Sequence, residues 1–469
     1  MTVELFTERK GLTNEQAVKI ANAKQATWWL IRNNTQHAHF GRYYAGHHRL
    51  AYATSKYRDA FGNLFSAFGL NFCATAIDTI SSRIEVSGFS ADDPAVADDA
   101  WRSYTNLGLD GYLPNAFRQA LVYGESYLLA DPKNKTVTIE DSRQMFVTKN
   151  PANPTEIVSA FKAWIDVLDG YSYGVLYTTD SITSFKSSEP SRIDPLTGMP
   201  SLLDPALRTS GVQWTIVDEQ TNPIGRVPVF VLVNSPDANH RGRSALQSLV
   251  PIQDAINKLA NDLIVASEFQ AFRQRVITGI EIPKNPETGQ PLPSQQLEAA
   301  LSRLWAFEGE NVNVTDLQEA NLSNYADAMR VLIGSFSVVA VLPPTYFVAV
   351  GSHSLSNVSG EAVAALELAH VARCEELCRL WRAPISEALR LALGIEDENL
   401  QVEWRPVQRP SLAMLGDYAV KAASVGVPKE ELFRIMGFSP TQIAKMIAAG
   451  GDPPEQERIT EQDAGGGDA

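Results

Sequence analysis

His370, Cys374 and Cys378 recur every four residues in one helical pattern and are the side-chain types that a transition metal binds. At 1.5 Å of rise per residue the outer two stand about 12 Å apart, so one ion cannot reach both. Packing in a core or an interface is the better account, and no metal site is expected. His37 with His39, and His47 with His48, could each supply two ligands, but no Cys, Asp or Glu stands at ligand spacing beside them. They are expected to be exposed loop histidines. Asp254, Asn257, Asn261 and Asp262 form a polar stripe opposite a row of leucines and isoleucines. That stripe is either an ordinary solvated face or the wall of a wet channel. A paired-carboxylate hydrolase would need a sugar platform or metal ligands, which nothing nearby supplies. Ser352-His353-Ser354 brings hydroxyls and an imidazole into one loop, the residue types of a hydrolase. Against that, no Walker-type phosphate loop is present and no dinucleotide fingerprint follows a strand. No Gly-x-Ser-x-Gly nucleophile elbow is read. Neither a catalytic residue nor a cofactor is assigned.

These groups must be positioned by a chain of 469 residues, too long for one compact core and suggestive of about three domain-sized units. Its hydrophobic content of 44% and charged content of 20% are globular values. The net charge of -14 argues against gripping nucleic acid by bulk charge, which requires clustered cations. Charge is uneven: residues 1–70 carry nine Lys/Arg against four Asp/Glu, and the stretch after Gly451 carries six acids and one Arg. Three cysteines cannot form a disulfide framework at this size, so a reducing cytoplasm is the expected place of assembly. No secretory signal opens the sequence. The stretch nearest to a membrane span, 331–350, is interrupted by Pro343-Pro344 and by Ser, Thr and Gly, and a spanning helix is not expected.

Periodicity predicts a helix over 12–32 with a capping box at Thr13 and Gln16, and further helices over 70–83 and 113–123. Between 126 and 185, short runs rich in Val, Ile, Tyr, Phe and Thr, separated by turn signals, predict an antiparallel meander packed on those helices. Strands near 212–217 and 227–233 follow a surface loop. Leu246, Leu249, Ile252, Ile256, Leu259 and Leu263 then mark a long helix that continues from Pro251 to about 272. A small mixed unit spans 275–322. A second long helix carries Tyr325, Met329, Leu332, Phe336 and Val339 on one face and stops at Pro343-Pro344. A third starts near 359 and runs to Pro384; a short helical region covers 412–449. The remainder lacks apolar periodicity and is expected to be disordered.

Residues 331–360 contain no Asp, Glu, Lys or Arg. The first half is a helix. The second, 351–360, is a neutral loop of small residues between two long helices. In an enzyme it would be a lid; in a ring that moves DNA it would suit contact with a duplex without tight phosphate binding.

In order and spacing, the chain resembles the SPP1-type family of phage portal proteins. The resemblance rests on Tyr43-Tyr44-Ala45-Gly46, Gly124-Glu125-Ser126-Tyr127, Gly225-Arg226-Val227-Pro228-Val229, Asn234, and Gly242-Arg243-Ser244 leading into the helix with Asp254, Asn257 and Asp262. Pro343-Pro344 followed by Asn357-Val358-Ser359 completes it. It implies an α+β portal fold: a helical and antiparallel-β wing over 1–242, stem helices over 243–272 and 323–341, and a small α/β clip over 273–322. It further implies a tunnel loop over 342–358, a long wing helix over 359–393 with a following strand within 359–409, a short helical crown over 410–450 and an acidic tail over 451–469. The tunnel loop would bring Ser352, His353, Ser354, Leu355, Ser356 and Asn357 to the DNA channel. Asp254, Asn257, Asn261 and Asp262 would line the stem.

The family implies a ring oligomer, usually a dodecamer, at one capsid vertex of the virion. Double-stranded DNA would be packaged and ejected through it without being held tightly. Partners would be the large terminase subunit, the major capsid protein and scaffold, and a head-completion adaptor, with no membrane. Two rivals from the residues alone are another virion structural protein, such as a minor capsid protein, and a hydrolase.

Overall fold

The computed structural model describes residues 12–48, 69–166, 168–190, 212–271, 275–278, 313–316, 322–343, 346–347, 360–408, 412–436, 438 and 440–448. The chain divides into two units, one comprising Met1–His48, Asn71–Val250 and Ser337–Ala469, the other Arg49–Leu70 and Pro251–Phe336. Its architecture is α+β, with helices and antiparallel sheets.

In the first unit, helix α1 (Asn14–Tyr44) starts at the expected capping box: Gln16 N donates to Thr13 Oγ1 and Thr13 N to Gln16 Oε1, both at 3.2 Å. It runs past Arg32, where the sequence pattern weakens at Asn33-Asn34. Asn34 does not break it because its side chain is buried and donates to Arg143 O at 2.9 Å. The inner face of α1 (Ile20, Ala23, Ala26 and Leu30) packs on Phe146, Phe161, Phe185 and Trp214. Those aromatics belong to a five-stranded meander in sequential order: β4 (Met145–Lys149), β5 (Ile157–Ile165), β6 (Tyr171–Tyr177), β7 (Ser181–Pro190) and β8 (Trp214–Thr221). Trp214 Nε1 donates to Thr27 Oγ1 at 2.9 Å, satisfying the indole inside the core.

The strands expected as a single meander fall into two sheets. β2 (Glu125–Asp131) and β3 (Thr136–Glu140) leave it and join β9 (Val229–Val233) in the order β3-β2-β9. β2 is buried along nearly its whole length, so it takes a neighbour on each edge and is covered by helices. The covering helices are α4 (Leu109–Tyr123) and α7 (Gly360–Leu393). Trp381 of α7 stacks on Phe117 of α4 at 4.9 Å and donates its indole N–H to Val233 O at 2.9 Å. α7 continues beyond Pro384, where the periodicity reading ended it, to Leu393. Ile385, Ala388, Leu389 and Ala392 are buried beyond that point, and this packing offsets the bond that the proline removes.

α2 (Phe72–Arg83), expected over 70–83, is capped by Asn71; α3 (Pro94–Asn106), which the sequence reading did not mark, is capped by Asp93 with proline at its first position. β1 (Val86–Ser90) pairs antiparallel with β12 (Gln401–Trp404), joining distant parts of the chain. Helices α8 (Leu412–Ser424), α9 (Lys429–Ile435) and α10 (Pro440–Ala448) follow.

α5 (Val250–Ala271) enters the second unit at Pro251, and α6 (Ser323–Ala340) leaves it after Phe336. In chain order they bracket the antiparallel pair β10 (Arg275–Thr278) and β11 (Asn313–Asp316). On α6, Phe336 is fully buried, but Val339, expected on the same face, is exposed. No described helix is long and apolar enough to cross a membrane.

Candidate functional site

Ser352, His353, Ser354, Leu355, Ser356 and Asn357 lie outside the described residues, as do residues 451–469 and most of the segment between β10 and β11. The four polar residues expected as one stripe on α5 divide. Asn257 and Asn261 are 5% and 1% exposed, and Asn257 Oδ1 accepts from Leu70 N at 2.9 Å. Gln253, one turn earlier, donates to Leu70 O at 2.7 Å, so α5 side chains satisfy both backbone groups of that residue. Asp254 and Asp262 are half-buried, and Asp262 pairs with Lys258 one turn away. The division follows from helix geometry: positions 253, 256, 257, 260 and 261 share an inward face, while 254, 258 and 262 are rotated away from it.

His370, Cys374 and Cys378 are buried in the core, with Cys374 Sγ 3.8 Å from His370 Nε2. Burial pushes both thiols up to about 12. Among the described residues, no three His, Cys, Asp or Glu side chains group as metal ligands. His37 and His39 are not loop residues. They sit on α1, His37 against Tyr123 at 5.2 Å and His39 against Tyr43 at 4.9 Å, while His48 also packs against Tyr43, at 5.1 Å. One Gly-x-Ser-x-Gly sequence does occur, at Gly170-Tyr171-Ser172-Tyr173-Gly174. It lies at the turn into β6, with Ser172 1% exposed and no helix following, so it is not a nucleophile elbow.

The motif residues scattered over 120 positions of sequence converge in space. Gly124 and Gly242 meet backbone to backbone: a Cβ on Gly242 would stand 1.9 Å from Gly124 O. Asn234, fully buried, bridges them, its N–H donating to Gly124 O at 2.8 Å and its side chain to Arg243 O at 2.6 Å. Arg243 N returns a bond to Asn234 O at 2.9 Å. From α7, the Arg373 guanidinium donates to Asn234 Oδ1 and, at 2.9 Å, to Ser235 Oγ. Beside this knot Glu125 accepts from Tyr127 Oη at 2.9 Å, Gly242 N at 3.1 Å and Arg241 at 3.3 Å, and lies 3.7 Å from Lys149. Burial lowers the Lys149 pKa and Glu125 counteracts it; burial also lifts the Tyr127 hydroxyl well above its ordinary value.

The carboxylate, lysine and arginine floor a groove of about 820 Å³ lined also by Trp29, His37, Phe40 and Phe146. Both oxygens of Glu125 are engaged by donors of the fold itself. That is a fastening, in which two cations and a backbone N–H compensate one buried anion. Together with the Asn234 knot it ties β2, the segment after β9, the lead into α5 and α7 to one another. The remaining motif, Tyr43-Tyr44-Ala45-Gly46, closes α1 onto α2: Asn71 donates to Tyr44 O at 2.9 Å, and the Tyr44 hydroxyl donates to Asp78 at 2.8 Å. The sequence reading missed Arg83, Arg241, Glu367 and Arg373. The contacts that give them their place here are to residues distant in sequence, and no local pattern marks those contacts.

Comparison with known proteins agrees with the motif order. Residues 31–446 match the family model described as phage portal protein, SPP1 Gp6-like. The portal protein of Mycobacterium phage D29 is 25% identical over 392 residues, covering 77% of this chain and 75% of its own length. That of Mycobacterium phage L5 is 24% identical over 382 residues, covering 77% and 74%. Among solved structures, a chain from the neck of an empty gene transfer agent particle is similar over 81% of this chain and 92% of its own length, at 14% identity and a TM-score of 0.47. With a family model spanning nearly the whole described chain, this protein belongs to the SPP1 Gp6-like phage portal protein family.

Proposed function

We propose that this chain is the subunit of the portal ring at one vertex of a phage capsid, through which double-stranded DNA is packaged and later ejected. The observation that carries the reading is the family match over residues 31–446. The protein is a virion component of a structural family. In this reading residues 1–242 form the wing, α5 and α6 the stem, residues 273–322 the clip, and 410–450 a short crown. The succession of a long helix, an antiparallel pair and a second long helix supports it. The clip docks the large terminase subunit during packaging and a head-completion adaptor afterwards; the major capsid protein and scaffold surround the ring.

Asp254 and Asp262 are the α5 residues that face the channel, while Asn257, which accepts from Leu70 N, and Asn261 are buried on the inward face. The neutral residues Ser352, His353, Ser354, Leu355, Ser356 and Asn357 meet the duplex. The net charge of -14 supports sliding, because each phosphate–cation contact would add salt-dependent affinity and retard it. Replacing Ser352, Ser354 and Ser356 with Lys tests the loop. Three added cations per subunit, repeated around a ring, hold the duplex, so DNA packaged per procapsid should fall while rings still form. Equal packaging by mutant and wild type would remove the loop from the channel.

A further inference from the structure

We infer that Arg83 is a positioning residue for DNA passage, clasping the segment that leaves α6 to the head of α7. The inference rests on the reading above that the connection between α6 and α7 meets the duplex. That connection brings no charge of its own, since residues 331–360 contain no Asp, Glu, Lys or Arg. The charges at its root are supplied from α2 and α7. Arg83, the last residue of α2, donates through Nη2 to Glu367 Oε1 at 3.0 Å and to the Tyr346 hydroxyl. Tyr346 Oη in turn donates to the same Glu367 oxygen at 3.1 Å, closing a three-membered ring of contacts. Arg83 Nη1 reaches Val407 O at 3.4 Å, which keeps the fork spread across three partners.

Two further contacts pin the same segment. Phe347 lies edge-on to Phe72, at the other end of α2, with centroids 5.3 Å apart. His370, one turn along α7 from Glu367 and 1% exposed, sets its ring against that of Tyr346 with centroids 6.1 Å apart, and the segment begins just after α6 at Val341. The chain turns sharply there: Val341 has φ +56° and Leu342 N returns to Ser337 O at 3.0 Å. The exit from α6 is thus tied to α2 twice and to α7 twice. The Arg83 and Glu367 side chains are only 18% and 24% exposed, so removing one leaves the other charge poorly solvated. Lysine cannot replace the fork, because one ammonium does not span Tyr346, Glu367 and Val407 in a fixed plane.

The test uses the full-length assembled ring, with two readouts: amide hydrogen exchange of residues 341–347 and DNA packaged per procapsid. In Arg83→Met, exchange at 341–347 should rise about tenfold, the effect of losing one charge-assisted hydrogen bond, and packaging should fall. Arg83→Lys should behave like Arg83→Met. Adding Tyr346→Phe to Arg83→Met should move either readout less than Tyr346→Phe does alone, since the hydroxyl has already lost its donor and keeps only Glu367. If Arg83→Met does not assemble, Tyr346→Phe alone decides, because it keeps the Arg83–Glu367 pair and deletes one hydroxyl; it should raise exchange at the same amides. Unchanged exchange, additive effects in the double variant, or loosened amides with full packaging would each overturn the inference. Normal packaging by the triple-lysine loop variant beside impaired packaging by Arg83→Met would instead reject the loop's contact with DNA and leave the clasp standing.

Discussion

Gly242 shows at the level of one residue what a motif glycine is for. Its missing side chain lets Gly124 O approach where a Cβ would stand 1.9 Å away, and both neighbours are backbone that cannot step aside. Gly242→Ala should therefore destabilise the chain by more than about 3 kcal/mol, or abolish soluble expression, as read by the denaturant midpoint. The importance of Gly124, Asn234 and Gly242 was legible in the sequence as a pattern. Their purpose was not, because it exists only once positions 124, 234, 242 and 373 have been brought together. His37 offers a different check. Burial pushes its imidazole down from 6.5 to about 4, and its Nδ1 is buried with no partner among the described residues. The folded chain binds that proton less readily than the unfolded chain. This contribution to stability is full above pH 6.5 and is lost as pH falls towards 4. His37→Gln should flatten stability against pH across that window, measured as denaturant midpoints at neutral and acid pH; parallel curves for the two proteins would show that His37 does not set the slope. The α5 asparagines mark the limit of reading single residues. Helical spacing puts Asn257 and Asn261 near Asp254 and Asp262, but a rotation of one side-chain position separates a buried face from an exposed one.

Helices and strands were legible where their signals are local. The capping box of α1 is written in Thr13 and Gln16 and forms as written; Thr13→Ala should cost about 1 kcal/mol of thermal stability. The far end of α1 and the part of α7 beyond Pro384 were not legible in the periodicity. Asn34 and Pro384 are local stop signals that packing overrides, through Arg143 O in one case and four buried aliphatic residues in the other. Alternation likewise located the strands but not their partners. β2 reads as the first strand of a meander, yet its second neighbour, β9, is a hundred residues away. Within the five-stranded sheet, Gly174 makes room for the ring of Phe161, whose Cζ would stand 2.6 Å from a Cβ. Phe161 also packs against Phe185 and Trp214, so the displaced ring cannot find new space cheaply. Gly174→Val should lose about 1–3 kcal/mol through overpacking, checked by calorimetry; a neutral result would mean that α1 can lift from the sheet without cost.

At the scale of the molecule, the family match and the motif order make the same statement about what this chain builds. A portal subunit acts only as part of a closed ring, and features of the single chain are consistent with that. Val331 and Val338 on α6 are 68% and 77% exposed, and Leu259 and Leu263 on α5 are only half-buried. Apolar helix faces of this kind require neighbours. A ring of identical subunits joins two different surfaces of each copy, so it grows until it closes. The most direct measurement is electron microscopy of the purified full-length protein, with its mass distribution taken at micromolar concentration and physiological salt. The account predicts closed cyclic homo-oligomers around an axial channel. A population of monomers alone, with no rings in the images, would contradict it.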